Sequence, residues 1–265
     1  MYKLENAILF SFDLCDSVKI KEKIGDKNEL LEIYYSKLVD FEIDFYELFI
    51  GNQFEHLSLD KLYLIKIIGD EYWYLYLGNS KEVIKDFIHL VQELSKKESK
   101  KYSSSGEMIF DEEDKDLIKH EYKLYIDKIN ILESFANIRL KKIYDFLLHK
   151  VDSGKIPRLD SVENNEYTVH KYMETIGLSS VIDTRKNRTD TKDELKDHYL
   201  SFRFDPIGLK TDLFFRCTKE ISTPNRVHIG ETLYEELESY ERDKFEEIHK
   251  FIPKGISKEY TIYRL

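Results

Sequence analysis

The stretch from Lys61 to Gly78 constrains the fold of this chain more than any other. Its arms, Leu62 to Ile68 and Glu71 to Leu77, are dense in β-branched, leucine and aromatic residues, and only Gly69-Asp70 separates them. That pattern predicts a tight β-hairpin with Asp70 at its tip. A second apolar run, Ala7 to Phe12, predicts a strand that ends in Asp13 and passes through Leu14-Cys15-Asp16-Ser17 into a helical pattern. If the two strands are neighbours in one sheet, Asp13 and Asp70 converge at one edge. Carboxylates that close repel each other unless a divalent cation such as Mg²⁺ or Mn²⁺ neutralises them. Taken singly, each aspartate also has an ordinary use, Asp70 in the turn and Asp13 as a helix N-cap.

The 265 residues suffice for one large or two small domains. A formal net charge of −10 argues against nucleic acid as the main partner, because phosphate backbones need a basic surface. Cys15 and Cys217 are too few for a disulfide framework and lack zinc-site spacing, which fits a reducing cytoplasm. No stretch approaches the apolar length of a bilayer span, and the N-terminus lacks a signal-peptide cleavage pattern, so no membrane partner is expected.

Beyond the first strand, Val18 to about Phe49 predicts amphipathic helices interrupted at Gly25-Asp26. Ser80 to Ser99 predicts a helix with apolar residues from Val83 to Leu94 on one face. The lysine and serine run at 96–106 reads as a linker, and Glu112 to Val151 reads as long helices with Tyr122, Tyr125 and Ile129 at helical spacing. Tyr167 to Ile182 is read as a strand and turn around Gly177, and Tyr199 to Asp205 as a strand before Pro206-Ile207-Gly208. Thr211 to Glu220 reads as a helix, Arg226 to Ile229 as a strand, Glu231 to Phe245 as a helix and Tyr260 to Leu265 as a closing strand. The expected architecture is α+β, a mixed sheet with helices on one face.

The ordered succession FSFDLCDS, KIIGDEYWY, FDPIGLKTDLFFR, STPNRVHIGETLYEEL and PKGISKEYTIYRL resembles the catalytic domain of class III nucleotidyl cyclases, the adenylate and guanylate cyclase superfamily. The resemblance covers residues 5 to 95 and 199 to 265. It leaves 100–165 as a helical insertion within a single domain spanning 1–265. It implies a ferredoxin-like fold and a head-to-tail homodimer with active sites at the interface. It also implies a nucleoside triphosphate substrate and a 3′,5′-cyclic nucleotide product.

On this resemblance Asp13 and Asp70, with Leu14 beside them, match the positions that hold two Mg²⁺ or Mn²⁺ ions. Arg216 matches the transition-state arginine. Asp212 stands four residues earlier, where the family has asparagine, and is expected to orient Arg216. Ser17 and Lys254 match phosphate-binding positions, with Lys258 competing for the second. Asp16 replaces a family glycine and Val18 a threonine. Asp16 would add negative charge beside the triphosphate.

Lys66 and Asp205 match the two base-reading positions. A lysine donates to a ring nitrogen and an aspartate accepts from an exocyclic amine. Adenine and cytosine both offer that pair, so ATP or CTP is favoured over GTP or UTP. The chain also resembles the pyrimidine cyclases of bacterial Pycsar antiphage systems, which make cyclic CMP or cyclic UMP. Phe45, Tyr46 and Tyr72 are candidates for narrowing the base pocket to a single ring. A cyclase-like module without activity, and a diguanylate cyclase, are the competing readings; the hairpin lacks the Gly-Gly-Asp/Glu-Glu-Phe run of the latter.

Overall fold

The computed structural model describes residues 5–51, 53–104, 121–131, 133–159, 164–175 and 208–265. These form two compact units, one comprising Asn6–Asn130 with Gly208–Leu265 and the other running chiefly over Ile131–Ile207. The expected strand Tyr199 to Asp205 and the turn at Gly177 lie outside the described residues.

The larger unit opens with β1 (Glu5–Leu14), α1 (Ser17–Ile24) and α2 (Asn28–Ile50). The expected hairpin follows as β2 (Leu62–Ile68) and β3 (Glu71–Tyr76), turning at Gly69, whose φ of 66° suits a residue without a side chain. Next come α3 (Lys81–Ser104) and β4 (Tyr122–Ile131). The smaller unit holds α4 (Glu133–Asp152) and α5 (Asn165–Thr175), which pack through Tyr144, Val151, Val169 and Met173. The larger unit resumes with α6 (Leu209–Glu220), β5 (Arg226–Gly230), α7 (Glu231–Glu236), α8 (Ser239–Arg242), β6 (Glu246–Phe251) and β7 (Tyr260–Arg264).

The strands make one sheet in the order β2-β3-β1-β4-β5-β7-β6. β1 pairs antiparallel with β3, aligning Ile8 with Tyr76 and Phe12 with Tyr72, while β4 and β5 run parallel. The sheet is covered on both faces. Phe10 and Phe12 of β1 and Tyr74 and Tyr76 of β3 join the core built with Phe41 and Phe45 of α2 and Phe87 of α3. On the other face Trp73 and Tyr125 meet Phe214 of α6, at centroid separations of 5.2 and 4.7 Å. The expectation of helices on one face alone is thereby corrected, because α6 covers the second face.

Further expectations are also corrected. The 100–165 segment is not helical throughout, since Tyr122–Ile131 is strand β4. Its residues are apolar towards both faces, so strand alternation is absent from the sequence. Helix α3 runs on to Ser104 through the lysine run read as a linker. Asn165–Thr175 is a helix, whose start is capped by the Asn164 side chain accepting from the Glu166 and Tyr167 amides. The helix expected over Glu231 to Phe245 breaks in two where Glu238 and Glu241 form a capping box. Strand β6 was not expected. Among the described residues no helix is long and apolar enough to cross a membrane.

A buried polar node joins β4, β5, α7 and β7. One Asp127 oxygen accepts from the Lys128 and Leu233 amides at 2.8 and 3.0 Å, and the other from the Tyr125 and Tyr260 hydroxyls. A Cβ on Gly230 would lie 2.1 Å from Asp127 Oδ2 and 2.4 Å from the Tyr125 hydroxyl. Replacing Gly230 with Ala should therefore cost about 2–3 kcal/mol in urea unfolding, through overpacking. Gly69→Ala, with open space around it, should cost about 1 kcal/mol from its left-handed backbone alone; the reverse order would contradict this packing account.

Candidate functional site

The site grows from the β1–β3 ladder. Carrying its register one step past Phe12 and Tyr72 sets Asp13 opposite Glu71, with Asp70 next in the turn. The structure thus brings Asp13 and Asp70 together. Asp13 titrates at about 6, well above an ordinary aspartate, first because it is buried and then because Glu71 and Asp70 add like charge; Lys123 and Lys219 pull the other way.

Glu71, only 3% exposed, is the residue sequence reasoning missed. Its adjacency to Asp70 was visible, but its place on the inward side of the ladder depends on the register. One of its oxygens pairs with Lys219 of α6 at 3.4 Å, and the other is buried with no partner. Asp70 repeats this arrangement: one oxygen meets Lys21 of α1 at 3.4 Å and the other is buried and unpaired.

Unfilled buried carboxylate oxygens are costly, and hard oxygen donors of this kind suit Mg²⁺ or Mn²⁺. The acidic edge therefore fits divalent ions. Among the described residues no group of three or more His, Cys, Asp or Glu side chains is gathered into ligating geometry.

The loop after Asp13 leads straight into α1. Asp16 adopts a left-handed conformation, φ 53°, of the kind a glycine takes without strain. Its carboxylate does not cap α1 but pairs with exposed Lys19 at 2.7 Å. The charge expected to burden the phosphate loop is thus balanced locally. Ser17 opens α1 with its hydroxyl beside the Tyr34 phenol. Leu14, the last residue of β1, is buried in the core.

The remaining candidates are spread over the second face and the two opposite edges of the sheet. Lys66 is exposed on β2, the edge strand, with its ammonium 5.8 Å from the centre of the Trp73 ring. Asp212 and Arg216 lie one turn apart on α6, and no ion pair joins them. Lys254 is exposed in the β6–β7 turn, whereas its competitor Lys258 pairs with Glu231 at 3.4 Å. Asp205 lies outside the described residues. Phe45, Tyr46 and Tyr72 pack into the core on the face away from Lys66, so they do not narrow a base pocket there. Phe215 of α6, 42% exposed and 5.9 Å from Trp73, is the aromatic on the Lys66 side.

The architecture matches solved cyclases. Adenylate cyclases from Trypanosoma brucei, solved in their monomeric state, superpose with a TM-score of 0.50 at 11% identity, covering 98% of this chain and 89% of theirs. An adenylate/guanylate cyclase/hydrolase from Silicibacter pomeroyi gives 0.51 at 9% identity over 100% and 98%. The fold is that of the nucleotidyl cyclases. The catalytic core of a rhodopsin-guanylyl cyclase with converted specificity, in complex with ATPαS, gives 0.50 at 11% over 99% and 96%. No family model matches the sequence, and neither does any curated protein.

In the metal-free protein the Asp13 carboxyl should titrate near pH 6 by ¹³C NMR, and Glu71→Gln should lower that value by removing a like charge. Titration of Asp13 near pH 4 in both proteins would contradict the crowding described here.

Proposed function

We propose that this chain is a nucleotidyl cyclase that converts a nucleoside triphosphate into a 3′,5′-cyclic nucleotide and pyrophosphate. The observation that carries the reading is the convergence of Asp13 and Asp70, one Asp70 oxygen left buried and unfilled, at one end of a cyclase-fold sheet. Asp13 and Asp70, with the Leu14 backbone, would hold two Mg²⁺ or Mn²⁺ ions. Such ions lower the pKa of the ribose 3′-hydroxyl and neutralise charge on the triphosphate.

The chain's own groups have distinct tasks. The uncapped N-terminus of α1 with Ser17 receives phosphate oxygens. Lys254 and Arg216 counter the charge that builds on the α-phosphate and the leaving pyrophosphate. Lys66, exposed on an edge strand, and Arg216, unpaired with Asp212, are available to a neighbouring copy, which supports a head-to-tail homodimer. Lys66 and Asp205 would read an amino-bearing base, and CTP is placed ahead of UTP and ATP. The product would then be a pyrimidine cyclic nucleotide of the kind used in bacterial antiphage signalling, made in the cytoplasm.

Incubation with each of ATP, CTP, GTP and UTP in Mn²⁺, followed by mass spectrometry, should give a cyclic mononucleotide and pyrophosphate, with CTP the best substrate. Asp13→Asn or Asp70→Asn should lower turnover at least about 100-fold, by removing ion-held charge stabilisation. Cyclic AMP alone would replace the base assignment, and dinucleotide products or nucleotide binding without turnover would overturn the proposal.

A further inference from the structure

Deepening that reading, and resting on it, we infer that Glu71 is a third acidic member of the ion site that reaches a divalent ion through ion-bound water, and that Lys219 holds its place when no ion is bound.

Glu71 is 97% removed from solvent by its 3% exposure, yet one carboxylate oxygen has no hydrogen-bond partner. A buried carboxylate oxygen so placed calls for a hydrogen-bond donor or a cation on that side, and ion-bound water supplies both. The residue stands one step along the ladder from the Phe12–Tyr72 pair, opposite Asp13, and directly follows Asp70, and its charge acts on Asp13, so its carboxylate belongs to the same acidic group. The three carboxylates do not close into direct ligating geometry. Mg²⁺ commonly keeps several of its waters, and a carboxylate one layer out can accept hydrogen bonds from them.

The counter-charge arrangement supports this assignment. Lys219 is more than half exposed, meets Glu71 at a long 3.4 Å, and also acts on Asp13. Such a lysine is loosely held and readily displaced. Its removal leaves the acidic edge more negative, whereas loss of Glu71 charge leaves it less so. The two substitutions must therefore shift ion affinity in opposite directions, which a purely structural ion pair would not do.

The test is Mn²⁺ binding to the full chain without nucleotide, read from the free-Mn²⁺ EPR signal, with circular dichroism melting to verify folding. Glu71→Gln should weaken binding about ten-fold, as loss of an outer-layer partner does. Glu71→Asp should retain most of the affinity. Lys219→Met should tighten binding about three-fold, the scale of one partly screened charge. Wild-type binding that is lost in Asp13→Asn but unchanged in Glu71→Gln and Lys219→Met would overturn the inference while leaving the cyclase reading intact. Weakening by both Glu71→Gln and Lys219→Met would overturn it in favour of a structural pair. A folded wild-type protein that binds no Mn²⁺ would remove the cyclase reading and the inference together.

Discussion

The antiparallel pairing of β1 with β3 is the constraint on which the rest of the molecule depends. Five aligned pairs, from Ile8 with Tyr76 to Phe12 with Tyr72, fix which side chains face each layer. On one face that register delivers Phe10, Phe12, Tyr74 and Tyr76 to the aromatic core with α2 and α3. On the other it aligns Ser11 with Trp73 and carries Asp13 up to Glu71. A slip of one residue would exchange the two faces, putting the acids in the core and the rings on the α6 side. The hydrophobic layer therefore enforces the acidic edge. Like charges opposite each other in a ladder are unfavourable by themselves, and burial of the aromatic residues keeps them there.

The acidic edge is balanced by lysines from three different elements. Lys21 of α1 meets Asp70, Lys219 of α6 meets Glu71, and Lys123 of β4 acts on Asp13. None closes tightly on its acid. The Lys21–Asp70 and Lys219–Glu71 pairs are both 3.4 Å long, and Asp70 and Glu71 each retain a buried oxygen that the lysine does not reach. This is a site whose counter-charges are provisional. The contrast with Asp127 is instructive: that carboxylate is also buried and also titrates at about 6, but four protein donors occupy its oxygens. Asp127 is satisfied by the fold, while Asp70 and Glu71 are left open to something outside it.

The sequence made the hairpin, the first strand and the convergence of Asp13 with Asp70 legible, because turn chemistry and short apolar runs are local signals. Strand β4 was hidden for the opposite reason. Tyr122, Tyr125 and Ile129 fall at helical intervals, yet they point to both faces of a sheet covered on both sides. Strand β6, with Glu246, Glu247 and Lys250, is a charged edge strand whose apolar content is too low to mark it. In α5 the signal was present, since Asn164 caps it and Val169 and Met173 recur at four residues, but Gly177 drew attention to a turn. Glu71 required the cross-strand register, and Lys219 required the placement of α6 on the second face; neither is a local property.

The central claim is that the ends of β1 and the hairpin share divalent ions. Anomalous diffraction from crystals grown with Mn²⁺ and a non-hydrolysable nucleoside triphosphate tests it most directly. The account predicts manganese peaks within about 2.0–2.6 Å of carboxylate oxygens on both Asp13 and Asp70, the range of hard-cation bonds to oxygen. Peaks held by nucleotide phosphates alone, with both aspartates still facing their lysines, would contradict it.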